Sequence, residues 1–221
     1  MLSRILAFRP ASVVDRLGPR SGACPISTRE LLRPAAALRH VLPVIRVPVT
    51  AVARGALVAA KEIQACVGFA LGAGADPAPW FAGIVRAADE VAAGLPIFLC
   101  GEVRVEGEGG TQVERAVAEA WRLVDAGITH LAVDAAAAAP GERGRVVGEI
   151  AAAAAEHGAC LDVVVPLADG AQAGRRAAAV LEELERRGTP ADLASVRCLP
   201  PADDAEARLQ AGALARIARA L

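Results

Sequence analysis

The sequence predicts an α/β fold: a TIM-barrel-like (β/α) repeat of about seven units, incomplete relative to the eight of a full barrel. Three observations predict it. Short runs rich in Val, Ile, Leu and Phe alternate with longer helical stretches along the whole chain. Runs such as Leu161-Asp162-Val163-Val164-Val165 are almost continuously apolar, as strands buried on both faces are. With 54% hydrophobic residues in 221, the chain has material for one large core. An open doubly wound parallel sheet is the alternative, because it tolerates fewer strands. The absence of a Gly-rich phosphate turn after the first strand favours the barrel.

The elements follow in order. Residues 2–17 predict a short amphipathic helix pair broken at Pro10, so residues 1–20 form an N-terminal helical extension and 21–221 a single domain. A strand at Gly22–Ser27 leads to a helix at Thr28–Arg39, which Ser27 or Thr28 can cap. Leu42–Thr50 and Ala65–Leu71 are strands flanking a helix at Ala53–Gln64. Asp76 and Pro77 open the helix Pro77–Ala93 as N-cap and first-turn proline. Pro96–Val105 is the clearest strand; the loop Glu106–Gly110 and a helix at Thr111–Ala126 come next, closed by Gly127. His130–Ala135, Leu161–Leu167 and Leu193–Leu199 are strands. The helices Pro140–His157 and Ala171–Arg187 end at Gly158 and Gly188, and Asp203–Leu221 is the last helix.

Composition excludes several function classes. A net charge of −1 provides no field for nucleic acid or an anionic membrane. Lys61 is the only lysine, so Schiff-base chemistry would have to use it, and there is no tyrosine to act as a phenolic acid or base. Cys24, Cys66, Cys100, Cys160 and Cys198 are widely spaced and contain no CxxC, which reads as free thiols in a reducing compartment. No secretory signal opens the chain and no apolar run reaches the roughly 20 residues of a membrane span, so a cytoplasmic protein is expected. No cofactor is expected.

In a parallel α/β fold, functional groups sit at the carboxyl ends of the strands. Glu102 and Asp134 are the candidate catalytic residues, and Arg46, Arg104, Asp169 and Arg197 the candidate substrate-binding residues, with Thr50 near the second strand end. A carboxylate at the end of a buried strand suits a general acid or base. Guanidinium groups suit a small anionic ligand. The plain readings are an ion pair between Glu102 and Arg104, a loop cap at Asp134 and a turn residue at Asp169. His40 and His157 end helices, where positive charge is favourable, and His130 begins a strand away from the usual site.

Four stretches resemble the class II aldolase superfamily, in particular its tagatose-bisphosphate aldolase subunit type. Pro77–Val91 looks like the helix before the metal strand, and Pro96–Val103 is similar to the strand ending in Gly-Gly-Asp-His. Ala126–Ala135 resembles the Ala-Gly-x-x-x-x-His-Leu-Asp-Ala segment, and Val165–Ala171 the Val-Pro-Val-Pro-Gly-Gly-Ala segment. The likeness covers about 95 residues. It implies that Glu102 takes the place of the catalytic Asp, Val103 that of a zinc-binding His, Ala132 that of the strand histidine and Val164 that of a Glu, with Asp134 retained. A catalytic zinc takes about three N, O or S donors from protein, and valine supplies none.

Three functions follow as expectations: a non-catalytic or scaffold subunit of aldolase-like fold, a metal-independent lyase or isomerase using Glu102 and Asp134, or a self-associating structural protein. A homo-oligomer or a partner subunit is expected, with neither nucleic acid nor membrane as a partner.

Overall fold

The computed structural model describes residues 5–38, 41–47, 50–72, 74–105, 107, 110–139, 141–166 and 170–197, with backbone alone at 165–166, 170–177 and 196–197. The elements are α1 (Ala11–Arg16), β1 (Cys24–Pro25), α2 (Thr28–Leu38), β2 (Val44–Val47), α3 (Thr50–Glu62), β3 (Val67–Leu71) and α4 (Pro77–Val91). Then come β4 (Pro96–Arg104), α5 (Gly110–Asp125), β5 (His130–Asp134), α6 (Arg143–His157), β6 (Cys160–Pro166), α7 (Gly170–Arg186) and β7 (Leu193–Arg197). The expected helix at Asp203–Leu221, His40 and Cys198 lie outside the described residues.

The seven strands form one sheet in the order β2-β3-β4-β5-β6-β7, with β1 paired to β4 off this path. Each strand from β2 on thus lies beside its successor. A doubly wound sheet reverses direction at a switch point; this one does not, and its winding is that of the (β/α)-barrel. Among the described residues no pairing returns from β7 to β2, so hydrogen bonds do not close the sheet. The first strand departs from the repeat. Cys24 and Pro25 register with Pro96 and Ile97, and Ile26 N–H donates to the Ile97 carbonyl at 2.9 Å.

The local signals act as expected. Asp76 Oδ1 accepts from Ala78 N–H at 3.2 Å, with Pro77 in the first turn of α4. Gly127, Gly158 and Gly188 follow helices with φ of 99°, 67° and 71°, the left-handed region that glycine enters without a Cβ penalty. At Gly127 a Cβ would also meet the Phe81 ring.

By contacts the chain divides into two compact units. The first is Met1–Glu102, Glu119–Leu131 and Ala153–Cys160; the second is Val103–Ala118, Ala132–Ala152 and Leu161–Leu221. In the first unit, α3 packs on α4, β2 and β3, and Phe69, Ile97, Leu99, Leu57 and Ile84 are fully buried. Burying each such side chain contributes about 1.5–3 kcal/mol. The start of β1 is pinned by Asp89, whose Oδ1 accepts from Ala23 N–H at 2.7 Å and from Ser21 Oγ at 3.0 Å. In the second unit, α6 approaches α7 closely at Gly144 and Gly148, where a Cβ would meet Glu183 and Arg187. Arg187 Nε donates to Glu183 at 2.7 Å. β6 and β7 pair in parallel from Asp162↔Leu193 to Pro166↔Arg197.

Candidate functional site

In the first unit the register aligns β2, β3 and β4 row by row. Val44, Gly68 and Phe98 make one row; Arg46, Ala70 and Cys100 make the next on the same side. Paired residues in a sheet project to the same face. The intervening row, Ile45, Phe69 and Leu99, projects to the opposite face. Within β4 itself, Gly101 shows which face carries the helices: a Cβ there would meet Leu123 and Ile128 within 3.2 Å. Cys100 and Glu102 therefore face away from α5.

That face is filled at its lower end. The Phe98 ring occupies the space above Gly68 that a side chain would need. Higher up, Ala70 is half-buried and Gly72 has nothing within 4 Å of a built Cβ. Cys100 and Glu102 are half-buried and Arg46 is exposed. The structure thus brings two of the candidates, Arg46 and Glu102, onto one face of one unit. Cys100, read from sequence only as a buried thiol, joins them; the period-two alternation through Cys100-Gly101-Glu102 is the signal that would have found it.

In the second unit the groups are organised differently. Val105 N–H donates to the Asp134 carbonyl at 2.9 Å, so Arg104, exposed at the end of β4, lies beside the end of β5. Asp134 Oδ1 accepts from Ala136 N–H at 3.0 Å, an Asx turn that begins the loop before α6. Arg143 holds the same loop, donating from Nε to the Ala138 carbonyl at 3.0 Å and from Nη2 to the Ala136 carbonyl at 2.7 Å. Arg197 ends β7 beside Pro166. Asp169 lies outside the described residues.

Thr50 opens α3 and its methyl packs over Gly83, in the helix layer. His130 is buried, with Nδ1 3.0 Å from Thr28 Oγ1 and its ring 6.4 Å from that of Phe98. Neither Ser27 nor Thr28 uses its hydroxyl to cap α2 in the way the sequence suggests; Thr28 turns inward to His130. His157 pairs with Asp125 at 3.2 Å and stands edge-on to Trp121. Burial pushes the thiols of Cys24 and Cys66 up from their ordinary value, the Arg9 guanidinium partly offsetting this at Cys24. Cys24, Cys66, Cys100 and Cys160 are thiols outside any disulfide.

The zinc that the resemblance implies does not fit the residues present. Val103 is 1% exposed and, one residue on from Glu102 in a pleated strand, projects to the other face. Val164 is also buried and also without a donor atom. Among the described residues, no three His, Cys, Asp or Glu side chains come together to hold a metal. A cleft of about 710 Å³ lies elsewhere in the first unit, beside α1 and α4, lined in part by Arg16, Phe81, Arg86 and Asp89. Two of its three acidic groups are engaged in the framework: Asp89 pins β1, and Glu90 pairs with Arg54 at 2.7 Å, while Asp15 also lines the cleft. No helix among the described residues is long and apolar enough to cross a membrane.

No family model matches the sequence, and no curated protein does. Solved structures do match. The YdjI aldolase from Escherichia coli K12 superposes with a TM-score of 0.57 at 17% identity, over 88% of this chain and 69% of that one. An aldolase designated QR15 gives 0.49 at 14% identity, over 79% and 75%. A protein described as a fructose-1,6-biphosphate aldolase from Coccidioides immitis gives 0.48 at 13%, over 86% and 92%. The last two scores are too low to carry weight. At such identities the first likeness bears on the fold alone, and together with the strand order it gives this chain an aldolase-like (β/α)-barrel fold.

Proposed function

We propose that the chain is a non-catalytic member of the aldolase-like barrels, a subunit that binds a small anionic ligand and performs no zinc-dependent aldol chemistry. One observation carries this reading. At the strand ends where a barrel enzyme places its reacting groups, Val103 turns into the buried layer and Asp134 is engaged in its own loop. Among the described residues, a guanidinium, Arg46, and a carboxylate, Glu102, lie on one face of β2 and β4. That pair suits recognition of an anion. A subunit role, as a homo-oligomer or beside a catalytic partner, accompanies the reading.

A metal-independent lyase or isomerase is the second reading, supported by Glu102 itself: a half-buried carboxylate near a strand end suits a general base. One experiment separates the two. The purified protein, grown with zinc supplied, is assayed for metal content and for aldol cleavage and isomerase turnover, beside Glu102→Gln. The first reading expects sub-stoichiometric zinc and no turnover in either protein. Stoichiometric zinc with cleavage overturns it. Metal-free turnover lost in Glu102→Gln moves the assignment to the second.

A further inference from the structure

We propose that the cleft between α1 and α4 binds a small amphipathic monocarboxylate, its head held by Arg16 and Arg86 and its apolar tail laid along the first half of α4. The site uses none of the residues of the β2–β4 face and does not rest on the reading above. The cleft holds about 710 Å³, within the size range of small-molecule sites. All of its described lining residues fall in the first unit. Ala78, Phe81, Ala82 and Val85 line it from the first half of α4, and Arg86, Asp89 and Glu90 from the last turns. Spacings of three and four residues set these groups along one side of the helix. At about 1.5 Å per residue, the apolar stretch from Ala78 to Val85 spans about 10 Å.

The cleft is thus apolar at one end and charged at the other. Phe81 is 4% exposed and forms a floor, while Ala78 and Ala82 are exposed and Val85 is half-buried. A tail lying on that strip gains about 25 cal/mol for each Å² of apolar surface covered. At the charged end, Arg16 closes α1 and Arg86 stands on α4; both are exposed, and neither makes an ion pair among the described residues. Asp89 accepts from Ala23 N–H and Ser21 Oγ, and Glu90 pairs with Arg54. The two guanidinium groups are therefore the ones left to meet an anion, and both offer planar donor pairs to an oxyanion. The carboxylates set the limit on its charge. Asp15 and Asp89 line the same cleft and oppose a dianion, so a singly charged carboxylate fits better than a phosphate monoester.

Calorimetric titration of the full chain with phenylbutyrate tests the site, and peptide-resolved modification of arginines by phenylglyoxal locates it. The expected result is saturable binding about tenfold tighter than that of acetate, which lacks the tail, and of phenylbutanol, which lacks the charge. Phenylbutyl phosphate should bind more weakly than phenylbutyrate. Modification of Arg16 and Arg86 should slow several-fold in the presence of phenylbutyrate, with the exposed Arg20 unaffected. Arg16→Gln and Arg86→Gln, both at exposed positions, should each weaken binding about tenfold, and Arg46→Gln should leave it unchanged. Binding no tighter than that of phenylbutanol overturns the proposal, because apolar contact then accounts for all of it. So does tighter binding of the phosphate, and so does affinity that survives both cleft variants. Loss of binding in Arg46→Gln without protection of Arg16 and Arg86 also overturns it and moves the anion to the β2–β4 face.

Discussion

The two units place similar side chains at their strand ends in different surroundings. In the second, Asp134 and Arg143 hold one loop together: a carboxylate takes a backbone N–H and a guanidinium takes two carbonyls. In the first, Arg46 and Glu102 stand on a face above a floor of Ala70 and Gly72. Polar groups absorbed in local backbone stabilise a loop, whereas under the proposed reading the pair on the β2–β4 face recognises an anion. Residue type alone does not separate the two; what surrounds each group does.

Three perturbations break or sharpen that contrast. The largest effect is expected at Phe98, the plug beneath the first unit's floor. Phe98→Ala removes a side chain 2% exposed and should cost about 3–5 kcal/mol in urea unfolding. A loss below about 1 kcal/mol would mean that the ring is not integral to the floor.

An intermediate effect is expected in the second unit. Asp134→Ala deletes the acceptor of the Asx turn and should cost about 1 kcal/mol in urea unfolding. Unchanged stability would mean that the Asx turn does not hold the loop, and the contrast fails.

The smallest effect is a pH dependence at the α6–α7 contact. Hydrogen bonding from Arg187 and the charges of Arg186 and Arg187 hold the Glu183 carboxyl below its usual range. A depressed native pKa means that the unfolded chain binds the proton more readily. The contribution is therefore present above the ordinary carboxylate pKa and is lost as pH falls through the lower native value. Thermal melts of Glu183→Gln should accordingly show a shallower loss of stability on acidification than the parent, and parallel curves would count against the coupling.

Much of the fold was legible from local chemistry. The N-cap at Asp76 and the three helix-ending glycines mark boundaries because their physics acts within a turn of chain. Helix α6 starts at Arg143 rather than at Pro140, after a loop tied by Asp134 and Arg143 that apolar periodicity does not register. The site was half legible. Glu102 and Arg46 were identifiable as charged residues near strand ends, but their common face depends on a register between strands more than 50 residues apart in sequence. The matching of Val103 to a metal ligand beside Glu102 met the pleat, which turns adjacent residues to opposite faces.

By itself the sequence determined the repeat of strand and helix, the ends of most elements and the absence of donor atoms at Val103 and Val164. These follow from periodicity, caps and side-chain chemistry, all of them properties of short stretches. Only the tertiary structure decided that the strands wind in one direction, that β1 joins β4, and that Arg46, Cys100 and Glu102 share a face while Asp134 serves its own loop. Those outcomes depend on which strands pair and in what register, and pairing is fixed by burial across the whole sheet.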